Sequence, residues 1–243
     1  MLTYLRLEVL RVIRNSRYLF LSLATPVGFY LLFSSLFGSQ PAEGLKQSVE
    51  LMVSMAAYGA IGAVLFATGP RVAAERGTGW LRQLRATPLP AGKDIGAKVL
   101  AAMTLGFPAV VLVSVTAALA HSVRLTAGEW AAFIALTTLG TAPFAMLGLM
   151  IGYLADGDSS YSLTLAAWFV LPAIGGLWMP LSILPKALRT IGHVLPTNRL
   201  GDLGWRIAGG HAPSATSGLI LAGWTAAFAL AAAWSYRRAS LKD

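Results

Sequence analysis

The sequence predicts an all-α membrane protein with six transmembrane helices and its amino terminus in the cytoplasm. Three observations predict it. The 243-residue chain is 56% hydrophobic and only 12% charged, about half the charged fraction of a soluble domain, and its mean hydropathy is +0.66. The charges are gathered between six uncharged stretches, 18–37, 51–70, 99–120, 130–155, 161–181 and 218–236. Each is long enough to cross a hydrocarbon core of about 30 Å as a helix of roughly 20 residues. With the amino terminus inside, thirteen of the 19 Lys and Arg residues fall on cytoplasmic segments and six on outer ones, which is the positive-inside bias.

The elements follow in order. In residues 1–17, Leu2, Leu5, Val9, Val12 and Ile13 recur at helical spacing, with Arg6, Arg14 and Arg17 on other faces. This predicts an amphipathic helix lying on the membrane surface. Stretch 18–37 is too long for a signal-peptide core and no A-x-A site follows it, so it is read as a retained span. All six runs are continuously apolar rather than alternating, which favours helices over strands, and backbone groups in lipid must pair within the segment. Pro26, Pro108, Pro143 and Pro172 fall inside spans, where proline is tolerated and marks kinks. Gly148 and Gly152 form a G-x-x-x-G that permits close helix contact, as intramolecular packing or as a dimer seam.

Two connections exceed simple turns: a cytoplasmic one, 71–98, and an external one, 182–217. In the external one, Leu184, Leu188, Ile191 and Leu195 share a helical face, Pro185 suits a start and Pro196 a stop. Thr197 is expected to cap a second short helix carrying Leu200, Leu203 and Ile207, ending at Gly209 and Gly210. The whole chain, 1–243, reads as one membrane domain.

Chemistry is sparse. None of the six apolar runs contains Asp, Glu, Lys, Arg or His, whereas ion-coupled transporters place such groups in the membrane. The chain has no cysteine, which excludes thiolate metal sites and cysteine nucleophiles. His121, His193 and His211 are isolated in outer segments, and Asp156 and Asp158 flank Gly157 in a tight turn. No metal site and no catalytic cluster emerges, and the +9 formal charge is better explained by topology and anionic lipid than by nucleic acid. No G-x-x-x-x-G-K-[ST] loop occurs. A chain with spans, no ion relay and no phosphate-binding loop must borrow its energy from a partner, which would dock on 71–98.

In that segment, Glu75, Arg76, Gly77 and Thr78, followed by Leu81, Arg82, Leu84, Arg85, Thr87 and Pro88, resemble the pattern after the second span of ABC-2 type transporter permeases. That pattern is roughly E-x-E-x-G-T, a short helix, then T-P. The stretch from Leu184 to Thr197 resembles the segment before the family's last span. Ala73 departs from the first Glu of the pattern, and Asn198 replaces an aromatic or His. The resemblance implies the permease subunit of an ATP-driven exporter of amphiphilic or hydrophobic compounds such as drugs, antibiotics or lipids, in the bacterial cytoplasmic membrane with both termini inside. It implies a second permease copy and two separate ATPase subunits that hold ATP and Mg. A cytoplasmic coupling helix over 79–85 would transmit their closure. The first, second and fifth spans would line the pathway, with Phe29, Phe33, Met52, Met55 and Trp168 as candidate substrate contacts. A polysaccharide exporter and a non-transporting assembly or immunity protein are the alternatives.

Overall fold

The computed structural model describes residues 16–38, 45–79 and 91–240. Among them the chain is helical without strands. The elements are α1 (Ser16–Phe37), α2 (Gln47–Gly77), α3 (Ala91–His121), α4 (Ala127–Leu139), α5 (Ala142–Leu154) and α6 (Gly157–Ile174). After a 3-10 turn (Leu181–Ile183) come α7 (Lys186–Val194), α8 (Pro196–Ala208) and α9 (Ala215–Ser240). The expected surface helix over 1–17 lies almost wholly outside the described residues, as does 80–90.

Four helical stretches are long and apolar enough to cross a bilayer: Gln47–Gly77, Gly92–His121, Ala127–Leu154 and Ala215–Arg238, with Leu23–Phe37 a shorter apolar helix. The expected fourth span, 130–155, is not one helix. It breaks at Gly140, and Pro143 in the first turn of α5 has no N–H to continue the ladder. Thr141 Oγ1 donates to Thr138 O at 2.6 Å across the break. The expected fifth span, 161–181, is helical only to Ile174. Gly176 then takes a left-handed φ of 82°, which glycine adopts without strain.

The bundle is organised around α2. It packs against α1, α3, α5, α6 and α8, and 94% of its apolar window is buried. Small residues make this possible. A Cβ at Gly59 would lie 2.7 Å from Pro26 Cγ of α1, so α1 and α2 meet at backbone distance. Gly148 and Gly152 face α2 in the same way. A Cβ at Gly148 would collide with Thr68, and one at Gly152 would lie 2.5 Å from Gly69 O. The G-x-x-x-G is therefore an internal seam between α5 and α2, not a dimer seam. The outer face of α5 is covered by α9.

Two short helices precede α9, and their caps differ from the expected ones. Leu195 alone separates them, and Pro196 begins α8 as well as stopping α7. Thr197 is not a cap: it lies inside α8 and its Oγ1 donates to Leu171 O at 2.8 Å. Asn198 Nδ2 donates to Gly175 O at 3.0 Å. Together they bind the C-terminal end of α6: Thr197 adds a second bond to Leu171 O, which already accepts from Gly175 N, and Asn198 caps Gly175 O just beyond the helix. On α8, Leu200, Leu203 and Ile207 are buried. On α7, Leu188, Ile191 and Val194 are exposed, so this apolar face turns away from the body of its own chain rather than packing on it. Asp156 is the N-cap of α6, accepting from Ser159 N at 3.0 Å. Hydrogen bonding from Ser159 holds its carboxyl below the usual value, so this aspartate serves the helix start.

Candidate functional site

The motif residues gather where α2 ends and α3 begins. Helix α2 does not stop at the end of the apolar run. Val72, Ala73, Ala74, Glu75 and Arg76 are mostly good helix formers, and the helix continues to Gly77. Gly79, at φ 71°, closes the turn that ends the helix, with its N–H bonded to Arg76 O at 2.9 Å. Helix α3 already starts at Ala91. The long connection predicted over 71–98 is therefore shorter, 78–90, and its flanks are helix.

This shift relocates Glu75. It does not sit at the start of a loop helix, where the dipole would favour it, but in the last turn of α2. A carboxylate is disfavoured there unless cations offset it. Two do. Lys98 Nζ lies 2.6 Å from Glu75 Oε2, and Arg71 Nε lies 3.4 Å from Oε1. Lys98 also meets Asp94 Oδ2 at 3.3 Å. Glu75, Asp94 and Lys98 are 12%, 6% and 5% exposed at their side chains. The four formal charges cancel. Beside them is a cavity of about 10 Å³ lined by Arg71, Glu75 and Lys98, the size of one water site. The network ties the end of α2 to the start of α3.

Arg76 ties the same turn to a third helix. Its Nη1 donates to Gly152 O (3.1 Å), Tyr153 O (2.7 Å) and Ala155 O (3.2 Å). These carbonyls end α5, and a cation there meets both the unpaired oxygens and the negative end of the dipole. Ala73, where the family pattern has a glutamate, is buried. Thr78 Oγ1 donates to Glu75 O at 3.0 Å. Leu81, Arg82, Leu84, Arg85, Thr87 and Pro88 lie outside the described residues.

The candidate pathway residues separate into two groups. Phe33, Phe29, Tyr58 and Trp168 form a row through α1, α2 and α6, with ring centroids 5.8, 6.2 and 4.7 Å apart in turn. Trp168 Nε1 donates to Tyr58 O at 3.2 Å, and Trp178 closes edge-on against Tyr58 at 5.5 Å. Met52 and Met55 are fully buried in the core. Sequence reasoning missed Tyr58, the hub of the row, although it lies one turn after Met55. Its hydroxyl is buried without a hydrogen-bond partner.

Residues 1–201 match the ABC-2 type transporter family. The chain belongs to that family. Membership makes it a transport subunit of a multi-pass membrane protein rather than an enzyme, in a family whose permeases normally work with an ATPase partner. It is similar to a Bacillus subtilis (strain 168) protein named "Putative transport permease YvfS", at 25% identity over 231 residues covering 95% of this chain and 94% of that protein. In this ABC-2 permease the matched region takes in the ion network, Arg76 and the aromatic row, and ends inside α8.

Proposed function

We propose that this ABC-2 chain is the permease subunit of an ATP-driven exporter. It moves an amphiphilic or hydrophobic compound, drug-, antibiotic- or lipid-like, out across the bacterial cytoplasmic membrane. Six segments cross the bilayer: α1, α2, α3, the α4–α5 pair, α6 and α9, with both termini cytoplasmic and α7 and α8 on the outer side. Two copies form the pathway, and two ATPase subunits, carrying ATP and Mg, dock beneath segment 78–90. Leu81 and Leu84 supply apolar contact there, Arg82 and Arg85 supply polar orientation, and the Thr87-Pro88 pair fixes the end of the coupling helix. Phe29, Phe33 and Trp168 are the substrate-side residues, with Met52 and Met55 packed in the core behind them.

The observation that carries this reading is the bracing of both flanks of segment 78–90. Its entry turn is held by Glu75 to Lys98 and by Arg76 to the end of α5, and its exit turn by Lys98 and Asp94. A displacement of the segment is therefore delivered to α2, α3 and α5 together. The positive-inside bias puts this end of the bundle in the cytoplasm, where an ATPase would reach it. The test is to purify the tagged chain from its native membrane and identify stoichiometric partners by mass spectrometry. An ATP-binding cassette subunit is expected. Leu84→Asp is expected to lose it while inserting normally, and Glu75→Lys to retain ATP hydrolysis with reduced export in vesicles. Wild-type partner binding and export in both variants would remove 78–90 as the coupling element.

A further inference from the structure

The opposite end of α2 carries a second, unlike cluster of charge. A cleft of about 1010 Å³ opens between the start of α2, the turn after α3 and the end of α8. Lys46, Arg124 and Arg206 line it, with His121 and His211, and no carboxylate lines it. Among the described residues none of the three cations is in an ion pair, whereas Arg71 and Lys98 at the other end are. Of the carboxylates nearby in sequence, two are engaged locally. Glu129 accepts from Thr126 N at 2.7 Å, and Asp202 accepts from Ser217 Oγ at 2.6 Å. Arg206 Nε donates to Ala212 O at 3.1 Å, which anchors the guanidinium by one nitrogen.

We infer that this cleft binds the phosphate-bearing headgroup of an anionic phospholipid. Three cations around one opening repel one another unless an anion joins them, and a phosphate offers acceptors to two Arg forks and a Lys at once. The walls select an amphiphile over a bare anion. Leu45, Val49, Val123 and Leu125 are apolar, and Trp205 presents an indole whose Nε1 is held by Glu50 O at 3.3 Å. An apolar body with a polar tip suits the headgroup level of a bilayer. The backbone is held in an uncommon shape at the same place. Ser122, which lines the cleft, has φ 50°, and among the described residues it alone has positive φ without being glycine. Beside it His121 is fixed by Tyr30, whose hydroxyl lies 3.2 Å from Nδ1. This site is independent of the coupling reading and of which ATPase serves the chain.

The experiment titrates the purified full-length chain, in a neutral detergent, with phosphatidylglycerol and with phosphatidylcholine, both brominated in their acyl chains. Quenching of tryptophan fluorescence reads binding, and Trp205→Phe identifies the fraction that comes from the cleft. Phosphatidylglycerol is expected to bind at least about tenfold more tightly than phosphatidylcholine, since cations at the membrane surface attract anionic lipid. The variant Lys46→Gln/Arg124→Gln/Arg206→Gln should lose that preference, while Lys186→Gln/Arg189→Gln, which removes exposed charge elsewhere, should keep it within about twofold. If the triple variant does not fold, Arg124→Gln alone is read for a fall of several-fold. Equal affinity for the two lipids, or an undiminished preference in the cleft variants, overturns the inference. Displacement of the lipid by glycerol 3-phosphate at equal concentration also overturns it, assigning the cleft to a soluble anion.

Discussion

Replacing Lys98 by Met is expected to be among the most damaging single changes at the cytoplasmic end of α2, and the geometry sets its size. Lys98 Nζ is 2.6 Å from Glu75 and 3.3 Å from Asp94. At an effective dielectric constant of about 20 those contacts amount to attractions of about 6 and 5 kcal/mol before desolvation is charged against them. Methionine recovers the desolvation of the ammonium but removes the cation that two carboxylates, 12% and 6% exposed, share. Breaking a buried pair on one side costs about 3–5 kcal/mol. Glu75→Gln is milder: Lys98 keeps Asp94, and Arg71, 21% exposed, turns to water, so about 1–2 kcal/mol is expected. The double variant Lys98→Met/Glu75→Gln should be more stable than Lys98→Met alone, because it removes one of the two carboxylate charges that Lys98 offset. The assay is unfolding of the purified chain in mixed micelles, followed by tryptophan fluorescence, with the four proteins compared as a cycle. A Lys98→Met protein as stable as wild type, or additive effects in the cycle, would refute the network as an energetic unit.

Three further outcomes are expected. Gly148→Val should separate α5 from α2, because its side chain would collide with Thr68, and should cost about 3 kcal/mol or more, seen as loss of monodisperse protein on gel filtration. Tyr58→Phe should be neutral or stabilising by up to about 1 kcal/mol, since its hydroxyl is buried without a partner, while Trp168→Ala should cost about 3–5 kcal/mol in the same micelle unfolding assay. In this cysteine-free chain, Ser122→Cys and Ser214→Cys should react with an impermeant maleimide on intact cells and Ser159→Cys should not. Ser48→Cys should label slowly for a different reason, its 7% exposure, and strong labelling at Ser159→Cys would invert the proposed topology.

The apolar runs carry much of the fold in plain sight, because helix in lipid follows from length and hydropathy. Where helices stop is less legible. The charged flanks Arg71–Gly77 and Ala91–Lys98 read as loop by composition, yet they are helix, because their charges neutralise one another across α2 and α3. No spacing rule within one segment reveals a pairing between residues 75 and 98. The breaks at Gly140 and Gly175 were hidden for the opposite reason: both lie inside apolar sequence. Both glycines admit α8 closely, since a Cβ at Gly140 would lie 2.5 Å from Leu200 Cδ1 and one at Gly175 would collide with Thr197. The amphipathic patterns of α7 and α8 are equally clear in sequence, but which apolar face would be covered was not. Leu200 is buried and Ile191 is 54% exposed.

The two ends of α2 differ in a way that bears on how motion would pass along it. Its 31 residues span about 46 Å, and its middle is gripped on all sides by neighbours whose contacts are backbone-close at Gly59, Gly62 and Gly69. Such a segment moves as a rod or not at all. Its weak point is Pro70, inside the helix, which removes one rung of the hydrogen-bond ladder. That rung lies immediately before Arg71, the first member of the ion network. The gripped part of the rod and the braced end are thus separated by the position where the helix bends most readily. Bending there would swing Glu75 and Arg76 against α3 and α5 without disturbing the packed middle, so the cost would fall on ion pairs and carbonyl contacts rather than on buried apolar area. Ion pairs with a one-water cavity beside them rearrange more cheaply than a close-packed core. This would place the compliance of the helix at Pro70, beside segment 78–90 and about three turns from the aromatic row at Tyr58.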